Sequence, residues 1–229
     1  MRKIQDHYFK KAKRENFAAR SVYKLEEAQK RFNVIKPGNA VLDLGCHPGS
    51  WAQYTASIVG KNGLIVGVDL QDGSDSTLAG GVAFRRLQGD IMDEELPERL
   101  AKIRSGFQVV LSDMAPSTSG NKWLDQQMVL RLARRALEIA EKLLYAGGNF
   151  YCKVFQGEDV DDFVDRVRQE FTSVKTVKPK SSRAESREMF VLGMGFRKTE
   201  GRQGVARDEG RRTRDEKGKQ GEWNDGIVE

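Results

Sequence analysis

Cysteine and histidine are scarce in this chain, with two residues of each among 229. Cys46 and Cys152 both lie in apolar segments. They therefore predict neither a disulfide framework nor the regular spacing of metal-binding cysteines. We expect both thiols to be reduced and structural, and we expect no metal site.

Long apolar runs are also missing. No stretch reaches the roughly 20 apolar residues that span a bilayer, and the first residues lack the apolar region of a signal peptide. We therefore expect a soluble, cytoplasmic protein that binds no membrane. Nothing in the sequence demands an oligomer, so a monomer is the expected state.

Charge is unevenly distributed along the chain. Residues 1–36 carry 11 Lys and Arg against 4 Asp and Glu, and residues 175–198 carry 7 against 2. Residues 37–174 between them are acidic, with 14 against 19. Basic ends around an acidic middle suit a nucleic-acid footprint beside a small-ligand pocket, but Lys-rich helices can also be merely solvated surfaces. The charge pattern alone leaves both interpretations open.

The chain divides into three predicted parts. Residues 1–36 form a basic N-terminal extension with a helix, for which Ser21 is the expected N-cap. Residues 37–198 alternate short apolar runs with amphipathic segments, which predicts an α/β fold with a doubly wound, mostly parallel sheet. Within this part, segment 71–81 is predicted to be a loop, and a long helix over 124–144 is predicted to stop at the glycines 147–148. Residues 199–229 are Gly-, Arg- and Glu-rich, and we expect a disordered tail.

Acidic residues stand at the ends of four predicted strands, namely Asp43, Asp69, Asp90 and Asp113. Doubly wound sheets bind their ligands at this carboxyl edge. The first strand also runs into a glycine turn, residues 45–51, that opens a helix. Such turns bring backbone amides and a helix N-terminus to a nucleotide-like ligand, and an acid about 20 residues later binds a ribose diol.

The glycine turn departs from the pattern of dinucleotide-binding proteins. His47 stands where their second glycine would be, which disfavours a nicotinamide-dependent oxidoreductase. A ring of carboxylates repels a pyrophosphate and suits a cationic ligand. S-adenosylmethionine offers a ribose diol, an amino group, an ammonium and a sulfonium to such a ring, and we predict it as the cofactor.

Two lysines give contrasting signals. Lys153 interrupts an otherwise apolar strand, and a buried ion is costly unless it has a partner or a function. It is therefore predicted to be functional. Lys24 lies in the predicted N-terminal helix and, taken by itself, has the pattern of a solvated lysine.

Five motifs between about Lys10 and Lys198 resemble the FtsJ family of ribosomal RNA 2′-O-ribose methyltransferases. They occur in the family's order and are Ala19–Leu25, the turn at residues 45–51, Leu111–Pro116, Lys153–Gly157 and Ser182–Glu188. The resemblance implies a Rossmann-like, S-adenosylmethionine-dependent methyltransferase fold, with one antiparallel C-terminal strand in the sheet.

The resemblance also implies a catalytic tetrad of Lys24, Asp113, Lys153 and Glu188, which replaces the interpretation of Lys24 as solvated. In this hypothesis Lys153 accepts the proton of the ribose 2′-hydroxyl, and Lys24 and Glu188 position that hydroxyl. Asp113 orients Lys153 and lies against the methionine part of the cofactor. Nearby Lys24 favours a neutral Lys153, whereas the two acids favour a charged one, so its protonation state stays open.

For the cofactor, the resemblance implies binding by Gly49, Trp51, Asp69, Asp90 and Asp113, with Asp69 at the ribose and Asp90 at the adenine amino group. Asp43 and Gly45 are implied to have supporting or direct roles. The chain departs from the family's usual residues at three positions that bear on the fine geometry of the pocket, His47, Ser50 and Ser117.

The implied substrate is a uridine of large-subunit (23S) ribosomal RNA, in the assembled subunit. The basic first helix and the region from Lys178 to Arg187 would hold phosphates. Trp123 is predicted either to stack on a base or to pack against the protein. Transfer RNA or a messenger RNA cap is the alternative substrate for the same chemistry, whereas an intact tetrad disfavours a non-catalytic RNA-binding module.

Overall fold

An eight-stranded sheet organises the chain in the computed structural model, which describes residues 2–116, 119–183 and 186–198, with side chains from His7 onward. The strands are β1 Ala40–Leu44, β2 Leu64–Asp69, β3 Ser76–Leu78, β4 Val82–Gln88, β5 Phe107–Ser112, β6 Leu144–Phe155, β7 Phe171–Val177 and β8 Glu188–Phe196. The helices are α1 Arg2–Arg14, α2 Val22–Phe32, α3 Ser50–Val59, α4 Leu96–Ile103, α5 Lys122–Leu143 and α6 Val160–Glu170. None of the helices in these ranges is long and apolar enough to cross a membrane.

The strand order is β3-β4-β2-β1-β5-β6-β8-β7. Strands β4, β2, β1, β5 and β6 pair in parallel, and β8 runs antiparallel between β6 and β7. This confirms the predicted doubly wound, mostly parallel sheet with an antiparallel C-terminal strand. Parallel pairing brings the carboxyl ends of β1, β2, β4 and β5 to one edge of the sheet.

Apolar residues of the central strands alternate between the two faces of the sheet. Leu42 and Leu44 of β1 pack in a cluster with residues of α4, α5 and α6, whereas Val41 packs in a second cluster with residues of α2 and α3. Helix α2 contributes Leu25 and Ala28 to this second cluster, so a helix of the basic N-terminal segment shares the core of β1. Each such fully buried Leu stabilises the fold by about 1.5–3 kcal/mol.

Three local predictions are corrected. Segment 71–81 is not entirely loop, because β3 pairs antiparallel with β4 at the edge of the sheet. Ser21 occupies the N-cap position of α2 as predicted, but its side chain makes no capping hydrogen bond, and its Oγ lies 3.2 Å from Ser50 Oγ instead. Glycines 147 and 148 do not end α5, because they lie inside β6.

The reason for the third correction is a close backbone approach. Helix α5 ends at Leu143 and β6 begins at the next residue, and its pairing with β5 is irregular before Asn149, where Gly147 has a φ of +79°. A Cβ on Gly148 would lie 2.9 Å from the Tyr145 carbonyl oxygen and 3.0 Å from that of Gln108. Glycine is therefore required here for strand packing and not for a helix stop.

Candidate active site

A pocket of about 460 Å³ opens at the carboxyl edge of the sheet. Its wall includes three of the acids singled out in the sequence, Asp69, Asp90 and Asp113, together with Gly45 and His47 of the glycine turn. Ile91, Met114 and Leu132 supply apolar lining. The volume is within the usual range of small-molecule sites.

Asp69 and Asp90 are oriented by backbone amides. The two carboxylate oxygens of Asp69 accept hydrogen bonds from the amides of His47 and Gln71, both at 3.0 Å. Asp90 Oδ1 accepts one from the amide of Met92 at 2.9 Å. A carboxylate has about four acceptor positions, so both side chains keep capacity to bind hydroxyl or amino groups in the pocket.

The glycine turn is held against the end of β2. The amides of Gly45 and Cys46 donate to the carbonyl oxygen of Val68, at 2.8 Å and 3.1 Å. Gly45 has a φ of +79°, and a Cβ there would come within 2.4 Å of Met114 Cγ. Gly49, with a φ of +102°, precedes α3 but does not line the pocket.

Trp51 also lies outside the pocket wall, because its side chain is used in packing. Its ring is 4% exposed and stacks on Tyr151, with the ring centroids 5.8 Å apart. Its Nε1 donates to the carbonyl oxygen of Ser21 at 2.9 Å, which joins α3 to the start of α2. A role of Trp51 in cofactor binding stays a prediction.

Asp43 is the most deeply buried of these acids. It is 2% exposed, and its Oδ2 has no hydrogen-bond partner. Burial, followed by the negative charges of Asp113 and Asp69, raises the pKa of Asp43 to about 7. The acids at this edge thus repel one another, and a cation in the pocket would relieve that repulsion.

The structure brings Lys24, Asp113, Lys153 and Glu188 together. Lys153 Nζ lies 3.0 Å from Asp113 Oδ1 and donates to the Asp113 carbonyl oxygen at 2.7 Å. Lys24 Nζ lies 3.2 Å from the same Oδ1 and 2.6 Å from Glu188 Oε2. The four side chains, from α2, the end of β5, β6 and β8, form one continuous ion-pair network.

The network is largely shielded from water. Lys153 is 5% exposed, and the side chains of the other three are 12–15% exposed. Burial acts to raise the pKa of Glu188, but the charge of Lys24 and the hydrogen bonds from Lys24 and Ser182 outweigh it, so the pKa is lowered. Glu188 is therefore a carboxylate at neutral pH.

The chain matches the family described as FtsJ-like methyltransferase over residues 17–196. It belongs to this family. Ribosomal RNA large subunit methyltransferase E of Desulfotalea psychrophila is 50% identical over 198 residues, which cover 86% of this chain and 98% of that protein. The protein of the same name from Syntrophobacter fumaroxidans is 48% identical over 196 residues, with coverage of 86% and 98%.

A solved structure agrees with the fold of this FtsJ-like methyltransferase. A crystal structure from Plasmodium falciparum, of a protein whose name is that of a ribosomal RNA methyltransferase, superposes with a TM-score of 0.68 at 26% identity. The superposition covers 79% of this chain and 98% of the Plasmodium chain. The family resemblance drawn from the sequence motifs is thus confirmed, and the protein is a methyltransferase.

Several contacts of this methyltransferase were not predicted. Tyr151 donates its hydroxyl to the carbonyl oxygen of Lys24 at 3.2 Å, and Ser182 donates to Glu188 Oε1 at 2.7 Å. Tyr151 could have been found, because it stands two residues before Lys153 on the same face of a buried strand. Ser182 has no comparable signal, since its partner is fixed by the path of a loop.

Of the remaining predicted positions, Trp123 is 61% exposed, which contradicts packing as its role. His47 is exposed at the pocket rim, and Ser50 is buried against Ser21. Ser117 and residues 184–185 of the fifth motif lie outside the described residues, as does the predicted tail from residue 199.

Proposed function

We propose that this protein transfers the methyl group of S-adenosylmethionine to the 2′-oxygen of a uridine ribose in large-subunit (23S) ribosomal RNA, within the assembled subunit. One observation carries the proposal. Asp113 lines the acidic pocket and also contacts both Lys24 and Lys153. A ligand in the pocket therefore lies beside two amines that can act on a hydroxyl.

The residues of the pocket fit S-adenosylmethionine, which when bound supplies a methyl group on a positively charged sulfur. Asp69 would accept from the ribose hydroxyls and Asp90 from the adenine amino group. Asp113 would face the methionine part, with the turn at Gly49 and Trp51 supporting the helix that opens there. The negative charges of Asp113 and Asp69, which add to burial in raising the pKa of Asp43, also favour a positively charged ligand in the pocket.

In this proposal Lys153 accepts the proton that the 2′-hydroxyl loses as it attacks. A hydroxyl is a weak nucleophile, and a positioned base typically contributes 10²–10⁴-fold to such a transfer. Lys153 and Lys24 contact the same oxygen of Asp113. Lys24 and Glu188 position the hydroxyl.

Ribosomal RNA is favoured over other RNAs by the names of the relatives, both of which are large-subunit methyltransferases. Exposed basic side chains near the site, Lys178, Lys180 and Arg183, suit a phosphate backbone. Transfer RNA and messenger RNA caps remain the competing substrates for the same chemistry. A ribosomal substrate also supports a cytoplasmic location, and we propose that the protein acts as a monomer, which size-exclusion chromatography can test.

The deciding experiment offers labelled S-adenosylmethionine with four substrates: large ribosomal subunits, naked ribosomal RNA, transfer RNA and capped messenger RNA. We expect 2′-O-methylation of one uridine in large-subunit RNA, with the assembled subunit as the best substrate. Label confined to transfer RNA or to the cap would replace this proposal with the alternative. Label on none of them would contradict both.

A further inference from the structure

We propose that Ser182 and Glu27 are positioning residues of the catalytic network, which together hold Glu188 against Lys24. The inference rests on the proposed function of the tetrad and goes beyond it. Neither residue contacts the pocket or the reacting groups. Both act through the segment 178–183, called here the basic segment.

Ser182 fixes one side of the Glu188 carboxylate. Its hydroxyl donates to Oε1 at 2.7 Å, while Lys24 binds the other oxygen, Oε2, at 2.6 Å. Ser182 is 8% exposed, so little water is available to replace this hydrogen bond. With both oxygens bound from different directions, Glu188 is confined to one orientation.

Glu27 fixes the backbone that carries Ser182. Its carboxylate accepts hydrogen bonds from the amides of Lys180 and Ser181, at 2.7 Å and 2.9 Å. The amide of Ser182 in turn donates to the carbonyl oxygen of Pro179 at 3.1 Å, which closes a tight turn. The basic segment is thus anchored on α2 at two consecutive amides.

The contacts of Ser182 and Glu27 complete a closed ring that begins and ends on α2. Glu27 follows Lys24 by three residues, so both side chains project from the same face of the helix. From Lys24 the ring runs through Glu188 and Ser182 to the basic segment, and Glu27 returns it to the helix. The basic segment therefore links Glu188, which β8 carries, to the helix that carries Lys24 by a second route beside their direct contact.

Ser181 provides a matched control. It is the neighbour of Ser182, it is buried, and its Oγ has no hydrogen-bond partner. Removing either hydroxyl deletes one oxygen atom from the same turn. Only the Ser182 hydroxyl contacts the catalytic network, so a difference between the two variants measures that contact.

The experiment compares Ser182→Ala, Ser182→Thr, Ser181→Ala and Glu27→Gln in the full-length protein. We expect Ser182→Ala to lower kcat about 10-fold, since a hydrogen bond to a charged group is lost, with the KM for S-adenosylmethionine unchanged. Ser182→Thr keeps a hydroxyl and should recover most of the rate. Glu27→Gln keeps only one acceptor oxygen and should lower kcat less than Ser182→Ala does.

A second readout needs no substrate. The carboxyl carbon of Glu188, assigned with Glu188→Gln, can be titrated by NMR. The hydrogen bond from Ser182 helps to lower the pKa of Glu188. Ser182→Ala should therefore raise that pKa in the titration, and Ser181→Ala should not. In the methylation assay, Ser182→Ala should also move the acid limb of the kcat profile to higher pH.

The inference is overturned if Ser182→Ala and Ser181→Ala have the same kcat and the same Glu188 titration. The test stays separate from the proposed function. If the unmodified protein methylates no RNA, the proposed function fails, yet the Glu188 titration still decides whether Ser182 holds this carboxylate. Should Glu27→Gln unfold, the serine pair decides the role of Ser182, and Glu27→Asp, which keeps both acceptor oxygens on a shorter side chain, replaces Glu27→Gln.

Discussion

The site has two halves, the acidic pocket and the ion-pair network called here the catalytic half, and the carboxylates of the two halves have different partners. In the pocket half, Asp69 and Asp90 are held by backbone amides, and Asp43, which is buried in β1 outside the pocket wall, has an oxygen with no partner. Among the described residues, none of these three forms an ion pair with Lys or Arg. In the catalytic half, Asp113 and Glu188 are both bound by lysine ammonium groups.

The contrast separates binding from chemistry. Carboxylates without cations leave negative potential for a positively charged ligand to neutralise. Carboxylates already paired with lysines instead fix the positions of those lysines before the substrate arrives, which is the usual advantage of a preorganised site. Asp113 belongs to both halves, because it lines the pocket and holds the two amines.

The largest effect is expected in the catalytic half, from removal of the amine of Lys153. Lys153→Met keeps the length of a side chain that is 5% exposed but removes its amine. If Lys153 is the proton acceptor, methyl transfer should fall about 10²–10⁴-fold. Calorimetry should find the affinity for S-adenosylmethionine changed only a little, since the acids that bind it remain.

Lys142→Met is the control for this substitution. Lys142 lies on α5 with its side chain 52% exposed and should give normal transfer. Near-normal transfer by Lys153→Met at neutral pH, with cofactor still bound, would refute its assignment as the base.

In the pocket half, Asp43→Asn tests whether the buried carboxyl of Asp43 costs stability at high pH. The pKa of Asp43 is raised from 3.8 to about 7, so the folded state binds more protons than the unfolded state between these values. Stability contributed by this group is therefore lost as pH rises from about 4 to about 7. At about 1.4 kcal/mol per pKa unit, Asp43→Asn should be more stable than the unmodified protein by on the order of 2–4 kcal/mol at pH 8.

The same comparison at pH 5 is its internal control. Asp43 is then protonated in the folded protein, and most of the difference should vanish. Urea unfolding at the two pH values measures both free energies. A stability difference that is equal at pH 5 and pH 8 would contradict a raised pKa.

The two halves also differed in how far the sequence predicted them. The pocket half is local: Asp69 and Asp90 end consecutive parallel strands, so strand periodicity alone brings them to one edge. The lysines come from α2 and β6, and no local pattern joins them. Lys153 could be predicted to be functional because it interrupts an apolar strand, but Lys24 was identified only through the family motif.

What the sequence did not predict depends on long-range packing. The contact between Ser182 and Glu188 follows from a loop anchored on Glu27, 154 residues earlier in the chain than Ser181. The use of Trp51 in stacking on Tyr151 depends on which strand lies beneath α3. Neither relation has a period or spacing that can be found in the sequence.

Asp69→Ala tests whether the pocket half binds S-adenosylmethionine. Loss of one charged acceptor should weaken S-adenosylmethionine binding about 10–100-fold, since hydrogen bonds to charged groups are worth about 1.5–3 kcal/mol. At saturating cofactor, kcat should change little, because the ion-pair network is untouched. Asp72→Ala, at an exposed position three residues later, is the control. Equal cofactor affinities in the two variants would exclude Asp69 from the site.

RNA binding should depend on neither half. Reversing the charge of Lys178, Lys180 and Arg183 to Glu should weaken RNA binding about tenfold or more at low salt and flatten its salt dependence, because phosphate contacts are lost. Cofactor affinity should not change. Filter binding over a salt series measures this, with exposed Lys61→Glu as the control. Unchanged RNA affinity would remove the basic segment from the RNA interface.

The smallest effect is expected at Trp123, which lies at the start of α5 and belongs to neither half. Its backbone is held, because Asn121 Oδ1 accepts from the amides of Trp123 and Leu124. Its ring is 61% exposed, so truncation costs little packing. If the ring stacks on an RNA base, Trp123→Ala should weaken RNA binding about 5–10-fold, in line with about 1–3 kcal/mol for such stacking, and Trp123→Phe should retain most of the affinity. Equal RNA affinities for Trp123→Ala and the unmodified protein would show that the exposed ring does not contact RNA.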